Sequence, residues 1–480
     1  IRVYIGTAGD SFWPSLHKLW RELVEARLSG ASALGDALLH TWTLSLSKFT
    51  RNLVASVPSN QISAYDNEPY IRRLLHWYTS WTAVADKESV AVARMLTQTL
   101  SNLVTGNENL MMDVWDLYLS LAEEQVVLLR LLASPDHGTM LASFVFIFNV
   151  AGSDERRLQQ LCEAQIGLRI CVLMLDAMIK LHDADESSEG GKAFDYGYLT
   201  FSRLISAGCA PQLYDNLAMQ DENITPQQTT FLKLVDSYLQ TLPDSAEAPR
   251  VFRELRSLLS SKFFALSFYA QRAIMRALGS ISDAHVSHPP TELDMKLLKV
   301  CEALVLVTQC IVTIALEAEP RNTSRTDLSD LKTYFIDARD GKQGLVETLI
   351  ETLRLLDAFL PRINFGKPVT SSGGQTPIAA TQEPGFSYLK RDLVRLLGIL
   401  AHRSESVQNR VRACGGIEVV MNQCVIDERN PYLREHAIFT LRNLLECNAE
   451  NQAVVDSTKL SKEFVNDGML KDVLRTSQGE

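Results

Sequence analysis

Leu433, Ala437, Ile438, Leu441, Leu444 and Leu445 recur at steps of three and four, while Arg434, Glu435, Arg442 and Glu446 occupy positions between them. That spacing predicts one amphipathic helix with a single apolar stripe. Asn430-Pro431, just ahead, reads as its start. The Asn side chain can cap unpaired amides, and proline suits the first turn, where its missing donor costs nothing. Asn448 reads as the stop, since asparagine tolerates the left-handed conformation at a helix end. Gly415-Gly416 breaks the chain upstream, and a second apolar run begins at Ile417.

The pattern returns elsewhere. Leu397-Gly398-Ile399-Leu400, with Ser404 and Gln408 behind it, lies 44 residues before Leu441-Arg442-Asn443-Leu444, with Asn448 and Gln452 behind it. Arg51-Asn52-Leu53-Val54 precedes Ser59, Asn60 and Gln61; Ser101-Asn102-Leu103-Val104 follows 50 residues later and precedes Asn107, Glu108 and Asn109. A weaker copy, Phe148-Asn149-Val150-Ala151, lies another 47 residues on. A helical unit whose apolar face repeats every 40–50 residues or so can bury that face only against its neighbours. The expected fold class is therefore all-α, an armadillo/HEAT-like α-solenoid of stacked helical repeats. Two segments interrupt the helical pattern: the acidic, Ser/Gly-rich stretch Asp183–Lys192 and the small, polar, proline-containing stretch Gly366–Gly385. They predict amino-terminal repeats over 1–182, middle repeats over 193–365, a flexible linker over 366–385 and a carboxy-terminal block over 386–480.

Composition narrows the function. The 480-residue chain carries a net charge of −10 and has no basic stripe interleaved with aromatics, which argues against nucleic acid as a partner. The apolar run Ala303–Leu316 is interrupted by Gln309 and falls short of the roughly 20 residues a bilayer span needs. It predicts a buried helix, as does Met140–Ala151, and no membrane span is expected. No secretory signal is visible, although the chain begins at Ile1 rather than Met. Eight cysteines are scattered without a CxxC, mostly in apolar helical context, which predicts reduced buried thiols. The nine-residue steps Cys162/Cys171 and Cys301/Cys310 would place each pair on opposite faces of a helix, so no chelate, metal or cofactor is expected. Gly190-Gly191-Lys192 lacks the remaining P-loop positions, and His285-x-x-His288 lacks a glutamate between its histidines. No enzyme is expected.

On Gly416-Ile417, Asn422, Cys424, Asp427, Asn430-Pro431, Leu433, Glu435, Ile438, Arg442-Asn443-Leu444, Asn448 and Asn451-Gln452, the segment Leu393–Val455 resembles the ataxin-10 family. Cys414-Gly415 departs from the more polar turn of animal members and points to a divergent, fungal-type relative. The resemblance implies a cytosolic, non-enzymatic, armadillo-like scaffold that regulates cytokinesis and cell survival through other proteins. Some fungal relatives carry a copper-transport name. Here Met111 and Met112 diverge by about 100° on a helix, and no cluster of soft ligands accompanies them.

In armadillo arrays the third helix of each unit lines the concave face, and an Asn of the repeated xNL motif can bond a bound peptide. The candidate protein-binding surface is accordingly Asn52, Asn102, Asn149, Arg442 and Asn443. The competing reading makes each Asn a spacer that bonds a neighbouring helix, and makes Arg442, like its counterpart Arg51, a solvated charge. A karyopherin-like transport adaptor would place Trp four residues before each Asn; Lys48, Gln98, Val145 and Phe439 stand there instead. Thr376, followed by Pro377, is a candidate phosphorylation site in the linker. Exposed apolar ends of such an array would also permit a homo-oligomer.

Overall fold

The computed structural model describes residues 1–7, 9–29, 35–242, 245–280, 294–319, 328–360, 362–364, 367–369, 386 and 388–457. The chain divides into two compact units, Ile1–Leu217 and Ala218–Glu480.

The first unit contains α1 (Arg2–Gly6), α2 (Phe12–Leu28), α3 (Asp36–Val54), α4 (Pro58–Ala64), α5 (Glu68–Tyr78), α6 (Lys87–Val104) and α7 (Glu108–Ser120). It continues with α8 (Val127–Leu132), α9 (His137–Ala151), α10 (Glu155–Glu163), α11 (Gln165–Leu181), α12 (Glu189–Ser206) and α13 (Ala210–Asn216). The long helices α3, α6, α9 and α12 stack in sequence as one layer. Helices α2, α5, α8 and α11 form a second layer against them, joined to it through α4, α7 and α10. Three helices per repeat is the armadillo plan. Local chemistry fixes the boundaries. Asp86, Asn107, Asp136 and Asp154 accept the amides of Ser89, Leu110, Thr139 and Arg157, capping α6, α7, α9 and α10. After α3, α6 and α9 the chain turns at Ser56, Gly106 and Gly152, all at positive φ. Trp20, Tyr78, Trp115, Tyr118, Phe144 and Phe146 fill the space between layers and are almost fully buried.

The second unit contains α14 (Pro226–Thr241), α15 (Ala248–Ala277), α16 (Met295–Glu317), α17 (Ser329–Asp337), the hairpin β1 (Arg339–Asp340) and β2 (Gln343–Gly344), and α18 (Leu345–Phe359). A second hairpin, β3 (Arg362–Asn364) and β4 (Lys367–Val369), precedes α19 (Leu389–Ala401), α20 (Glu405–Ala413), α21 (Gly416–Asn422), α22 (Leu433–Leu445) and α23 (Ala449–Ser457). Here α14, α16, α19 and α22 form one layer and α15, α18 and α21 the other. The stripe expected in α22 is buried at every position from Leu433 to Leu445. Each leucine or isoleucine among them contributes on the order of 1.5–3 kcal/mol by leaving water. The fold is all-α in its architecture, an armadillo-like stack within each unit.

Several local expectations are corrected. Helix α22 starts at Leu433, not at Asn430-Pro431; Tyr432, at φ 65°, is the residue before it. Asn430 instead donates to Asp427 Oδ2 at 2.9 Å. Asp427 also accepts the amide of Ile363, and Glu428 N–H donates back to the Ile363 carbonyl, so strand β3 is zipped to this turn. Asn448 is not the left-handed stop after α22; Cys447 takes φ 55°. Asn448 caps α23 by accepting the amide of Asn451. The loop expected over Asp183–Lys192 ends at Ser188, whose hydroxyl caps α12 through the Gly191 amide. Gly191 tolerates a close approach to the Asp185 carbonyl that a side chain would prevent. Helix α16 runs unbroken for 23 residues, long and apolar enough to cross a membrane, and 61% of its most apolar stretch is buried within the unit. Apart from Lys367–Val369, the expected linker 366–385 lies outside the described residues, as do Thr376, His285 and His288.

Candidate functional site

The repeated asparagines sit on the layer of long helices, where each helix meets the next. Asn102 Nδ2 donates to the Arg51 carbonyl at 3.4 Å, and Asn443 Nδ2 donates to the Gly398 carbonyl at 2.9 Å. Three residues earlier, Thr99 Oγ1 donates to the Ser47 carbonyl and Thr440 Oγ1 to the Val394 carbonyl. The two Thr-x-x-Asn motifs therefore make the same pair of cross-helix bonds. Asn149 makes its rung through a relay: Nδ2 reaches Thr105 Oγ1 at 3.3 Å, and that hydroxyl donates to the Ser101 carbonyl. A fourth rung was not legible as an asparagine. Arg203 donates to the carbonyls of Phe148 and Gly152 and stacks over the Phe148 ring at 3.5 Å. Asn52, at the first position, is exposed and accepts a long bond from Arg51, whose guanidinium also reaches Gln98 Oε1.

Glutamines clamp the ends of these helices. Gln61 Nε2 donates to the carbonyls of Asn102 and Thr105, both at 2.9 Å. Gln408 Nε2 does the same to Asn443 and Glu446, at 2.8 and 3.3 Å. Asn60 and Asn451 each donate to the carbonyl seven residues back, Leu53 and Leu444. These amides satisfy the helix-end carbonyls that water would otherwise have to meet.

The ladder of the second unit opens onto a cleft of about 490 Å³. Its walls come from α16 and the turn after it, α19 and α22. Arg395, Arg403, Phe439 and Asn443 give it its character, with Leu316 and Ile399 as apolar floor. Phe439 is 56% exposed, a costly position for a ring with nothing against it. The one acidic group in the lining, Glu319, is already engaged: Lys332 and His402 both pair with it, and Lys332 also donates to the His402 carbonyl. Arg395 and Arg403 have no carboxylate partner among the described residues. Burial, with Arg395 and Arg391 beside it, holds the His436 imidazole below its usual range, so it is neutral at physiological pH. The cleft is thus cationic, although the whole chain is acidic. Of the expected surface residues, Asn443 lines it. Arg442 is exposed outside the lining. Asn52, Asn102 and Asn149 belong to the other unit. Arg395, Arg403, Glu319 and His402 were missed because they come from other repeats, and no local motif marks them.

Cys301 and Cys310 share α16 as the single-helix expectation has it, but Cys162 and Cys171 do not share a helix. Cys162 lies in α10, Cys171 in α11, and Cys209 just before α13, and the three interact. The Cys209 contact and burial push Cys162 up, and burial pushes Cys171 up, so these thiols stay protonated. Among the described residues, no group of three His, Cys, Asp or Glu side chains is arranged to hold a metal ion.

Residues 389–478 match the family described as the spinocerebellar ataxia type 10 protein domain. That match includes α19 to α23 and two of the cleft's three walls. An ataxin-10 homolog of Dictyostelium discoideum is 41% identical over 108 residues, 22% of this chain and 17% of that relative. An ataxin-10 homolog of Schizosaccharomyces pombe is 22% identical over 434 residues, 90% of this chain and 88% of the relative. The resemblance to the ataxin-10 family therefore holds: strong in the carboxy-terminal block and, in one relative, extending along nearly the whole chain. With several other ataxin-10 homologs the match spans less than a fifth of the relative's length. Among solved structures, SYS-1 in its complex with POP-1 aligns over 99% of this chain and 94% of that chain, with 12% identity and a TM-score of 0.33.

Proposed function

We propose that the chain is a non-enzymatic scaffold whose carboxy-terminal block receives an extended acidic segment of a partner protein. In that role it would serve regulation of cell division and cell survival in the cytosol, as the ataxin-10 resemblance implies. The observation that carries the reading is the pairing of Arg395 and Arg403, without carboxylate partners among the described residues, with the exposed ring of Phe439 in one cleft. Guanidinium groups recognise carboxylates through paired hydrogen bonds, and an aromatic beside them supplies an anchor. The same charge disfavours the basic signals that a karyopherin-like adaptor carries. The test compares the intact chain with an Arg395→Glu/Arg403→Glu variant as bait in dividing cells, with co-purifying proteins quantified by mass spectrometry. Loss of a discrete partner set from the folded variant supports the reading. An unchanged set removes the cleft from it.

A further inference from the structure

A second groove, in the first unit, has a different composition. It encloses about 860 Å³ between the end of α2, α5 and the turn that follows it, and the end of α8. Leu28, Trp77, Trp81 and Val84 line it, with Arg73 and Arg130 at its sides. Trp81 is 92% exposed. An indole left in water forfeits the burial that normally places tryptophan in a core or an interface. Trp77 is held in place: the Arg27 guanidinium lies over its ring at 3.6 Å, and Arg27 is itself fixed by Asp36 at 2.6 Å. One indole is thus braced from behind and the other stands exposed at the groove.

The charge at the groove is also unneutralised, whereas half of the unit's arginines are paired. Arg72, Arg94, Arg156, Arg157 and Arg169 each hold a carboxylate, as Arg27 does. Arg73 and Arg130 hold none among the described residues; Arg130 makes only a 3.3 Å bond to the His76 carbonyl. Two uncompensated guanidiniums beside two indoles, on a chain of net charge −10, are complementary to a ligand that is acidic and carries an apolar group. A concave channel suits an extended chain better than a flat lipid surface.

We propose that this groove is a docking site for an extended acidic peptide segment bearing an apolar anchor, the anchor between Trp77 and Trp81 and the carboxylates on Arg73 and Arg130. The site is independent of the carboxy-terminal cleft. The test pans the full chain against a phage-displayed library of random peptides and titrates the enriched peptides by fluorescence anisotropy. Wild type is compared with Trp81→Ala and with Arg73→Glu/Arg130→Glu. All substituted side chains face solvent or the groove, and helicity of each variant is checked by circular dichroism. The expected result is enrichment of acidic peptides with an apolar residue, bound about tenfold or more weakly by each variant, a loss of the size that central aromatic and Arg anchors produce. Absence of enrichment, enrichment of neutral or basic peptides, or binding that both variants retain overturns the proposal. So does Trp81-dependent co-sedimentation with phosphatidylserine vesicles, which would assign the groove to a membrane. Trp81-dependent dimerisation in analytical ultracentrifugation would assign it to a second copy and overturn the proposal equally.

Discussion

Asn443 donates its side-chain amide to the carbonyl of Gly398, the residue facing it on the preceding long helix. The same asparagine lines the cationic cleft, so one side chain serves both the stack and the surface. Asn443→Ala removes a half-buried bond and should cost about 1 kcal/mol of stability in the second unit. Gly398→Ala should cost more, about 1–3 kcal/mol, because a Cβ there would intrude on Thr440 Oγ1 and disturb its bond to Val394. Denaturant unfolding followed by hydrogen exchange in α19 and α22 reads both. If Asn443→Ala left stability intact while weakening partner capture, the asparagine would belong to recognition rather than to spacing.

The glutamine clamps give a sharper stability test. Gln408 is 4% exposed, and its amide group meets the carbonyls of Asn443 and Glu446 at the end of α22 while its Oε1 accepts from Asn448. Gln408→Leu keeps the volume and leaves those groups buried without partners, a loss of about 2–3 kcal/mol. Exchange should rise first in α20, the end of α22 and α23. Gln61→Leu should act in the same way on α4 and the end of α6.

How much of this was legible can be seen at individual residues. The stripe of α22, the Gly415-Gly416 break and the 44-residue repeat followed from three- and four-residue spacing, because helical burial is periodic. The repeat is deeper than its motif. Tyr388 and Tyr432 both precede a long helix at φ near 65°, and Arg403 and Cys447 both follow one at φ 53° and 55°. None of these four residues advertises the left-handed conformation, so sequence spacing places the start of α22 at Asn430-Pro431 and its stop at Asn448 instead. The cleft was illegible for another reason. Glu319 and Asn443 lie 124 residues apart, and only stacking of α16, α19 and α22 brings them to one cleft. The contact between Cys162 and Cys209 arises in the same way, from a corner between helices rather than from spacing along one.

That corner leads to a labelling pattern. Cys162, Cys171, Cys301, Cys310 and Cys424 are buried, and each thiol is pushed up, so the reactive thiolate is scarce. Cys447 is exposed at the turn after α22. Brief treatment of the native chain with iodoacetamide at pH 7.5 should modify Cys447 first. The five buried thiols should react only after unfolding, as peptide mass mapping would reveal. Rapid modification of Cys162 or Cys171 in the native chain would contradict the packing of α10 against α11.

Asp236 on α14 supplies the pH dependence. Burial pushes its carboxyl up to about 6, Asp392 adds to the shift, and the bond from Gln240 opposes it. Its Oδ1 has no hydrogen-bond partner. The folded pKa lies above the unfolded value of about 3.9, so the folded state holds this proton more tightly. The contribution is fully present below pH ~4 and is lost as pH rises through about 6. Asp236→Asn mimics the protonated form at every pH. The variant should melt above wild type at pH 7.5, and the gap should close as pH falls from 6.5 to about 4. His436 works in the opposite sense, since its depressed pKa makes stability fall as pH drops below about 6.5. It is present in both proteins, so the difference between their melting curves isolates Asp236. A gap that is constant across this range would mean that Asp236 is ionised at its ordinary pKa in the folded chain.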